Sequence, residues 1–480
     1  MFLYVLLGVL AVFILFLAVI FIRALTFKPY ASPETEESAI DFDGDVAVEN
    51  LRQLVKCKTV SNVDKSLEDP AEFDKLISLL PKLYPHVYPL LEVKTFKSRG
   101  ILLKWKGKKS EKPSVMMSHY DVVPVDEDSW LVPPFDGVIK DGVLWGRGTC
   151  DTKITLNGAL CGADNLAKSG FVPENDVYFA FSGEEEINGD FPNETVKYFE
   201  ENGIVPELVL DEGGAVVENV FPGVKKPCGL IGIAEKGMID IKYTAKSNGG
   251  HASAPKPHTP VGILSKACVK VENKPFKMRL SKPVRQMFDT LGRHSTFAYK
   301  LIFANLWCFG WILSLLGKKS GGDINALIRT TVAFTQMKGS SAPNVIPPEC
   351  SMVSNMRLNP DETVDFAFNE IKKKIRSDDI SLKILHSVNP SRVSKVDCES
   401  YDKVANAIVS TFKGAIVSPY LMVQCSDSRS YGKISDKVYR FSATDFTKEE
   451  RACIHGNNEK IRIDAVKRSA EFYIRLLSKC

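Results

Sequence analysis

The sequence predicts an α/β fold with a central, mostly parallel sheet, interrupted by an inserted α+β lid and preceded by an N-terminal transmembrane helix. Three observations lead there. Short apolar runs at Val115–Met117, Val177–Phe181 and Leu208–Leu210 read as strands buried on both faces. Between the first two, Ile154–Lys168 carries apolar residues at helical spacing, and strands alternating with helices imply a largely parallel sheet. From about Glu235 the pattern changes to alternating strands at Met238–Ala245, Thr330–Met337 and Cys350–Leu358, with helical stretches between them.

Taken from the N-terminus, Met1–Ile22 holds no charged side chain, and about 20 such residues span a hydrocarbon core. The basic start, short apolar centre and small-residue cleavage site of a signal peptide are missing, so the segment reads as a retained single-pass anchor. Arg23 and Lys28 both follow it, which by the positive-inside rule favours a cytoplasmic body. Thr26–Asp45, with Pro29, Pro33, Glu34, Glu36 and Glu37, reads as a linker. The expected divisions are 1–25 anchor, 26–46 linker, 47–235 catalytic unit, 236–385 inserted lid and 386–480 return to the catalytic unit, ending in the helix Ile463–Leu477. A second apolar run, Phe297–Leu316, is interrupted by Lys300, Asn305 and Gly310. It reads as a buried or membrane-grazing helix, since a second span would make the chain cross mid-domain.

Composition excludes some classes. The 480 residues are 44% hydrophobic and 25% charged, ordinary globular material. A formal charge of +4 with no dense basic run gives no reason to invoke nucleic acid. The 11 cysteines show no CxxC pair and no disulfide framework, and read as buried or free thiols, Cys150 and Cys425 included.

The chemistry lies where the strands end. The three buried runs lead into Ser118-His119-Tyr120-Asp121, Glu184-Glu185-Glu186 and Asp211-Glu212, and open α/β sheets place their sites beyond the carboxyl ends of strands. Hydrolytic metal sites are built from His, Asp and Glu. Five candidate ligands stand out: His119, Asp151 in Gly-Arg-Gly-Thr-Cys-Asp, Glu186, Asp211, and His455 in Ile-His-Gly-Asn-Asn-Glu. Asp121, two residues after His119, is placed to orient its imidazole. His86, His258, His294 and His386 lack such a setting and read as surface or structural histidines.

In order along the chain, SHYDVVP, GRGTCDTK, GEEE, DEGG, GGHASAP, NVIPP and IHGNNE resemble the aminoacylase and glutamate-carboxypeptidase family of co-catalytic zinc exopeptidases, and within it the carboxypeptidase S and N-acyl-amino-acid synthase/hydrolase group. The resemblance runs from about Ala47 to the C-terminus. It implies two Zn2+ ions, with Co2+ or Mn2+ as substitutes, bridged by Asp151 through a cis Asp151–Thr152 peptide. His119 and Asp211 would complete one ion, Glu186 and His455 the other. It implies Glu185 as base, a one-residue slip giving Glu184 as base and Glu185 as ligand instead. His251 would be an oxyanion donor reaching over from a partner subunit, and Asn344 and Arg357 would bind the substrate carboxylate. Asp427 matches a further pocket position without an assigned role. The run Asp-Thr-Lys-Ile stands where relatives commonly have Asp-Asp-Lys-Gly, a departure that removes no ligand. The implied activity is cleavage of peptides at a C-terminal residue, or of N-acyl amino acids, by a membrane-anchored chain that pairs through its lid. A dipeptidase or deacetylase is the alternative within the family, and a non-catalytic receptor the alternative outside it.

Overall fold

Eight strands form the central sheet of the computed structural model, which describes residues 1–219 and 221–480. In spatial order they are Leu91–Thr95, Ile101–Trp105, Asn175–Ser182, Lys109–His119, Leu208–Val217, Val438–Asp445, Cys228–Glu235 and Ile416–Met422. The middle four run parallel. The sheet as a whole is mixed, which corrects the expectation of a mostly parallel one. Leu91–Thr95 and Ile101–Trp105 are joined by only Phe96–Gly100, too short for a parallel crossover, so they form an antiparallel edge hairpin. Cys228–Glu235 turns back on Leu208–Val217 and lies antiparallel to Val438–Asp445.

The predicted strands at Val115, Val177 and Leu208 lie within this sheet, and Ile154–Lys168 within the helix Lys153–Lys168. That helix and Ile463–Leu477 cover one face, contributing Leu156, Leu160, Phe472, Tyr473 and Leu476 to a core shared with Phe179, Phe181 and Leu210.

A second, antiparallel sheet has the order Thr331–Lys338, Glu349–Leu358, Gly237–Lys246, Ile380–Val388. Gly237–Lys246 alternates buried and half-buried residues, and helices Pro260–Glu272 and Val364–Ile375 cover its apolar side. The helices between residues 282 and 328 join the other core. Val284, Met287, Phe288 and Leu291 pack with Ile416 and Leu421 of the central sheet's edge strand, covering an edge that would otherwise be open. The stretch between residues 236 and 385 therefore serves both sheets.

Phe2–Thr26 is one continuous helix, and among the described residues it is the single helix long and apolar enough to cross a membrane. The second apolar run forms two helices, Phe297–Phe303 and Leu306–Ser320, bent by 103° at Ala304–Asn305. The acidic linker lies along the body. Arg475 donates to the Glu36 and Ser38 carbonyls, Lys479 pairs with Glu36 at 2.5 Å, and the Glu36 amide donates to Ser410.

Candidate metal centre

His119 is the last residue of its strand and is buried. A carbonyl can only accept, so the 2.9 Å contact between Nδ1 and the Asp121 carbonyl fixes the proton on Nδ1 and leaves the Nε2 lone pair free. Nε2 faces Asp151 Oδ1 at 3.0 Å. On the other side of the same carboxylate, Asp151 Oδ2 is 2.9 Å from His455 Nε2, which in turn lies 3.2 Å from Glu186 Oε2. Asp151 thus holds one oxygen toward each imidazole. The Asp151–Thr152 peptide is cis, as expected.

The Asp121 carboxylate binds the glutamate turn as well as facing His119. Its two oxygens accept from the Glu185 and Glu186 amides at 3.1 and 3.2 Å, and Ser61 donates to it at 2.7 Å. Glu185 Oε2 comes within 4.0 Å of His119 Nε2. Glu184 pairs with Lys65 at 2.7 Å.

Asp211, the residue before Glu212, is held by backbone amides. Its Oδ1 accepts from the Glu212 amide and its Oδ2 from the Ser428 amide, both at 2.9 Å. Glu212 Oε1 lies 3.3 Å from His119 Nε2. The strand does not end at these acids but runs on to Val217, with a register shift against Val438–Asp445 between Arg440 and Phe441. Gly213 and Gly214 permit this. Gly213 has φ 140°, and a Cβ on Gly214 would sit 1.7 Å from the Leu230 carbonyl oxygen.

Sequence reasoning also left Glu459 without a role. Its Oε1 accepts from the Cys150 and Asp151 amides at 2.7 and 3.2 Å, and its Oε2 pairs with buried Arg147 at 2.7 Å. It thereby ties the His455 loop to the Asp151 turn. The motif IHGNNE contained this residue, but nothing in the sequence says that its glutamate reaches a segment about 300 positions earlier.

Two groups of donor atoms are close enough to share an ion: His119, Glu185 and Glu212, and His119, Asp151 and Glu186. Burial, with the Asp427, Glu212 and Glu186 charges alongside, pushes the Glu185 carboxyl well above its usual range despite nearby His119. Burial and the Asp151 charge likewise push Glu212 up to about 7. Glu186 Oε1 is buried without a hydrogen-bond partner. Such a concentration of buried carboxylates around two imidazoles fits divalent cations, which supply the missing positive charge.

The predicted substrate residues are spread more widely. Arg357 Nη1 lies 3.2 Å from Cys425 Sγ, beside the loop that carries Asp427 and the Ser428 amide. Asp427 Oδ2 is buried and unpaired, and burial with the Asp211 charge pushes its carboxyl well up. His251 pairs with Val345 on a short exposed ladder, and Asn344 lies in the turn leading into it, where the Ala252 amide donates to the Asn344 carbonyl at 2.9 Å. Among the described residues, neither of the two hydrogen-bonds to the His119–His455 cluster. All 11 cysteines are free thiols.

Residues 115–479 match peptidase family M20/M25/M40, across the strands and turns that build this cluster. The chain belongs to that family. Curated M20-type relatives include a probable carboxypeptidase S-like 2 of Dictyostelium discoideum, 32% identical over 455 residues, covering 93% of this chain and 87% of the relative. The N-fatty-acyl-amino acid synthase/hydrolase PM20D1 of Xenopus tropicalis is 34% identical over 438 residues, covering 90% and 85%. Among solved structures, the M20 family metallo-carboxypeptidase Sso-CP2 of Sulfolobus solfataricus shares the fold with TM-score 0.65 at 17% identity, covering 90% of this chain and 98% of that one. A Bacillus subtilis M20 protein described as a dinuclear metal-binding peptidase matches with TM-score 0.56 at 12% identity, covering 91% and 98%. Family membership makes this chain a metallopeptidase or amidohydrolase, with a His/Asp/Glu group suited to metal.

Proposed function

We propose that the chain is a membrane-anchored dizinc amidohydrolase. It cleaves the amide that joins an amino acid with a free carboxylate to a peptidyl or fatty-acyl partner. The observation that carries this reading is Asp151 between His119 and His455, one oxygen to each, with a glutamate at either flank. In this assignment His119, Asp151 and Glu212 hold one ion, and Asp151, Glu186 and His455 the other. Glu212 takes the place expected for Asp211. When bound, the ions polarise the amide carbonyl and make a water nucleophilic at neutral pH.

The remaining roles belong to the chain. Glu185 takes the proton of the attacking water and returns it to the leaving nitrogen. Asp121 positions both the His119 ring and the Glu185–Glu186 turn. Arg357 offers its planar fork to the substrate carboxylate, with Asn344 as a further donor. His251 donates to the developing oxyanion. His251, on a short exposed ladder, and Asn344, in the turn that enters it, are both exposed, which suits delivery to the centre of a second copy.

Two relatives that match most of the chain are named for opposite halves of this chemistry, a carboxypeptidase and an N-fatty-acyl-amino acid synthase/hydrolase. The apolar N-terminal helix favours the fatty-acyl half. The deciding experiment measures turnover of long-chain N-acyl amino acids and of short peptides, with and without a chelator. Chelator-sensitive turnover, faster on the long-chain substrates, is expected. Equal or reversed rates would end the fatty-acyl assignment, and activity indifferent to chelation would end the metal assignment.

A further inference from the structure

We propose that the outer face of the helix Leu306–Ser320 is a second membrane contact, lying in the lipid interface beside the N-terminal helix. Its amphipathic order is the reverse of a soluble helix. The side against the protein is narrow and small, with Gly310, Leu313 and Gly317 buried. A Cβ on Gly310 would meet Met278 at 3.4 Å, and one on Gly317 would meet Ile328 at 3.1 Å. The bulky side faces out. Trp307 is 62% exposed, Trp311 61% and Leu315 56%, one above another at a spacing of four, with Leu316 next to them at 52%. A soluble surface scatters single apolar residues, whereas a contiguous stripe with two tryptophans marks a contact surface.

The geometry points to lipid as the occupant. Asn305, fully buried at the bend, donates to the Ile20 carbonyl at 3.1 Å and the Leu301 carbonyl at 2.9 Å. In return Arg23 donates to the Asn305 side chain at 3.1 Å and to the Ala304 carbonyl at 2.9 Å. This clasp fixes the bend at the level where the N-terminal helix meets its first charge. Above it, Phe21 packs on Phe297, and Phe16 meets Trp307 edge-on with ring centroids 5.9 Å apart. Phe16 precedes Arg23 by seven residues, about 10 Å along a helix. With Arg23 among the headgroups, Trp307 sits at the acyl boundary, the depth at which interfacial helices lie and aromatic side chains concentrate. The stripe ends in exposed Lys318 and Lys319, suited to anionic headgroups. The apolar faces of the two elements are therefore continuous, and a bilayer that takes one takes both.

The placement beside the N-terminal helix rests on the proposed anchor; the stripe itself does not. The test separates them. Full-length protein is reconstituted in vesicles of phosphatidylcholine and phosphatidylserine, with or without brominated acyl chains, and its tryptophan fluorescence is compared. The N-terminal helix has no tryptophan, Trp105 and Trp130 are buried, and Trp145 is half-buried under Lys460, so the quenching that W307F/W311F removes reports the stripe. Resistance to a carbonate wash reports the anchor. Quenching in the parent that falls to background in W307F/W311F is the expected result. Carbonate-resistant protein without quenching overturns the stripe and leaves the anchor. A processed chain beginning after the helix that is still quenched supports the stripe and removes the anchor. An unquenched chain that associates into dimers with rising concentration assigns the stripe to a second copy and overturns the proposal.

Discussion

Replacing Glu212 by Gln and, separately, Asp211 by Asn distinguishes two neighbouring acids that the structure gives different work. Glu212 points at the cluster, 3.3 Å from His119 Nε2. Asp211 accepts two backbone N–H bonds, from Glu212 and from Ser428, each at 2.9 Å. Loss of a mere outer partner of a ligand costs about 10- to 100-fold in metal affinity, so E212Q should weaken one ion by at least about 100-fold. The E212Q chain should stay folded, because removing one of several crowded carboxylates relieves repulsion. In D211N the amide keeps one acceptor and loses the other, and a hydrogen bond to a charged group contributes about 1.5–3 kcal/mol. That variant should therefore lose about 1.5–3 kcal/mol of stability and keep its full metal complement. Metal content by mass spectrometry after dialysis against graded zinc buffers gives the first quantity, and denaturant unfolding with metal in excess gives the second. An E212Q chain with a full complement beside a D211N chain short of one ion would refute the reasoning and return the ligand to Asp211.

Chelation should abolish turnover and lower the unfolding temperature, since ligands at about 1,000-fold over Kd add about 4 kcal/mol; zinc added back should restore both, and an unchanged melting curve would contradict a metal bound in the native state. Glu185→Gln should cut kcat by about 100- to 10,000-fold with metal content unchanged; a parallel loss of metal would mark Glu185 as a ligand. Arg357→Ala should raise KM by about 10- to 100-fold for substrates with a free carboxylate, in line with the 1.5–3 kcal/mol of a charge-assisted bond, and leave amide-capped analogues unaffected; an equal effect on both would remove Arg357 from carboxylate recognition. Gly214→Ala places a methyl 1.7 Å from a backbone oxygen and should cost about 3 kcal/mol or more, read by denaturant midpoint; wild-type stability would show that the strand is free to shift there.

Much of this protein can be read from its residues alone. Runs such as Val177–Phe181 are apolar at every position because the middle strands are buried on both faces, and that property is local to the strand. His119, Asp151, Glu186 and His455 were recognisable because each follows a strand or glycine-rich turn within a distinctive motif, and the fold brings all four together. The 25-residue N-terminal helix follows from apolar composition. Other features depended on partners far along the chain. Asp211 and Glu212 are neighbours on one strand, and the motif that holds them does not say what each side chain meets. Only the fold shows Glu212 beside His119 and Asp211 accepting from the Ser428 amide, 217 positions later. The mixed sheet, the Glu459 bridge to Asp151 and the clasp of Asn305 on Arg23 are of the same kind. Sequence periodicity reports which side of an element is apolar; it carries no record of which distant group satisfies a buried polar atom, and that pairing exists only once the chain has folded.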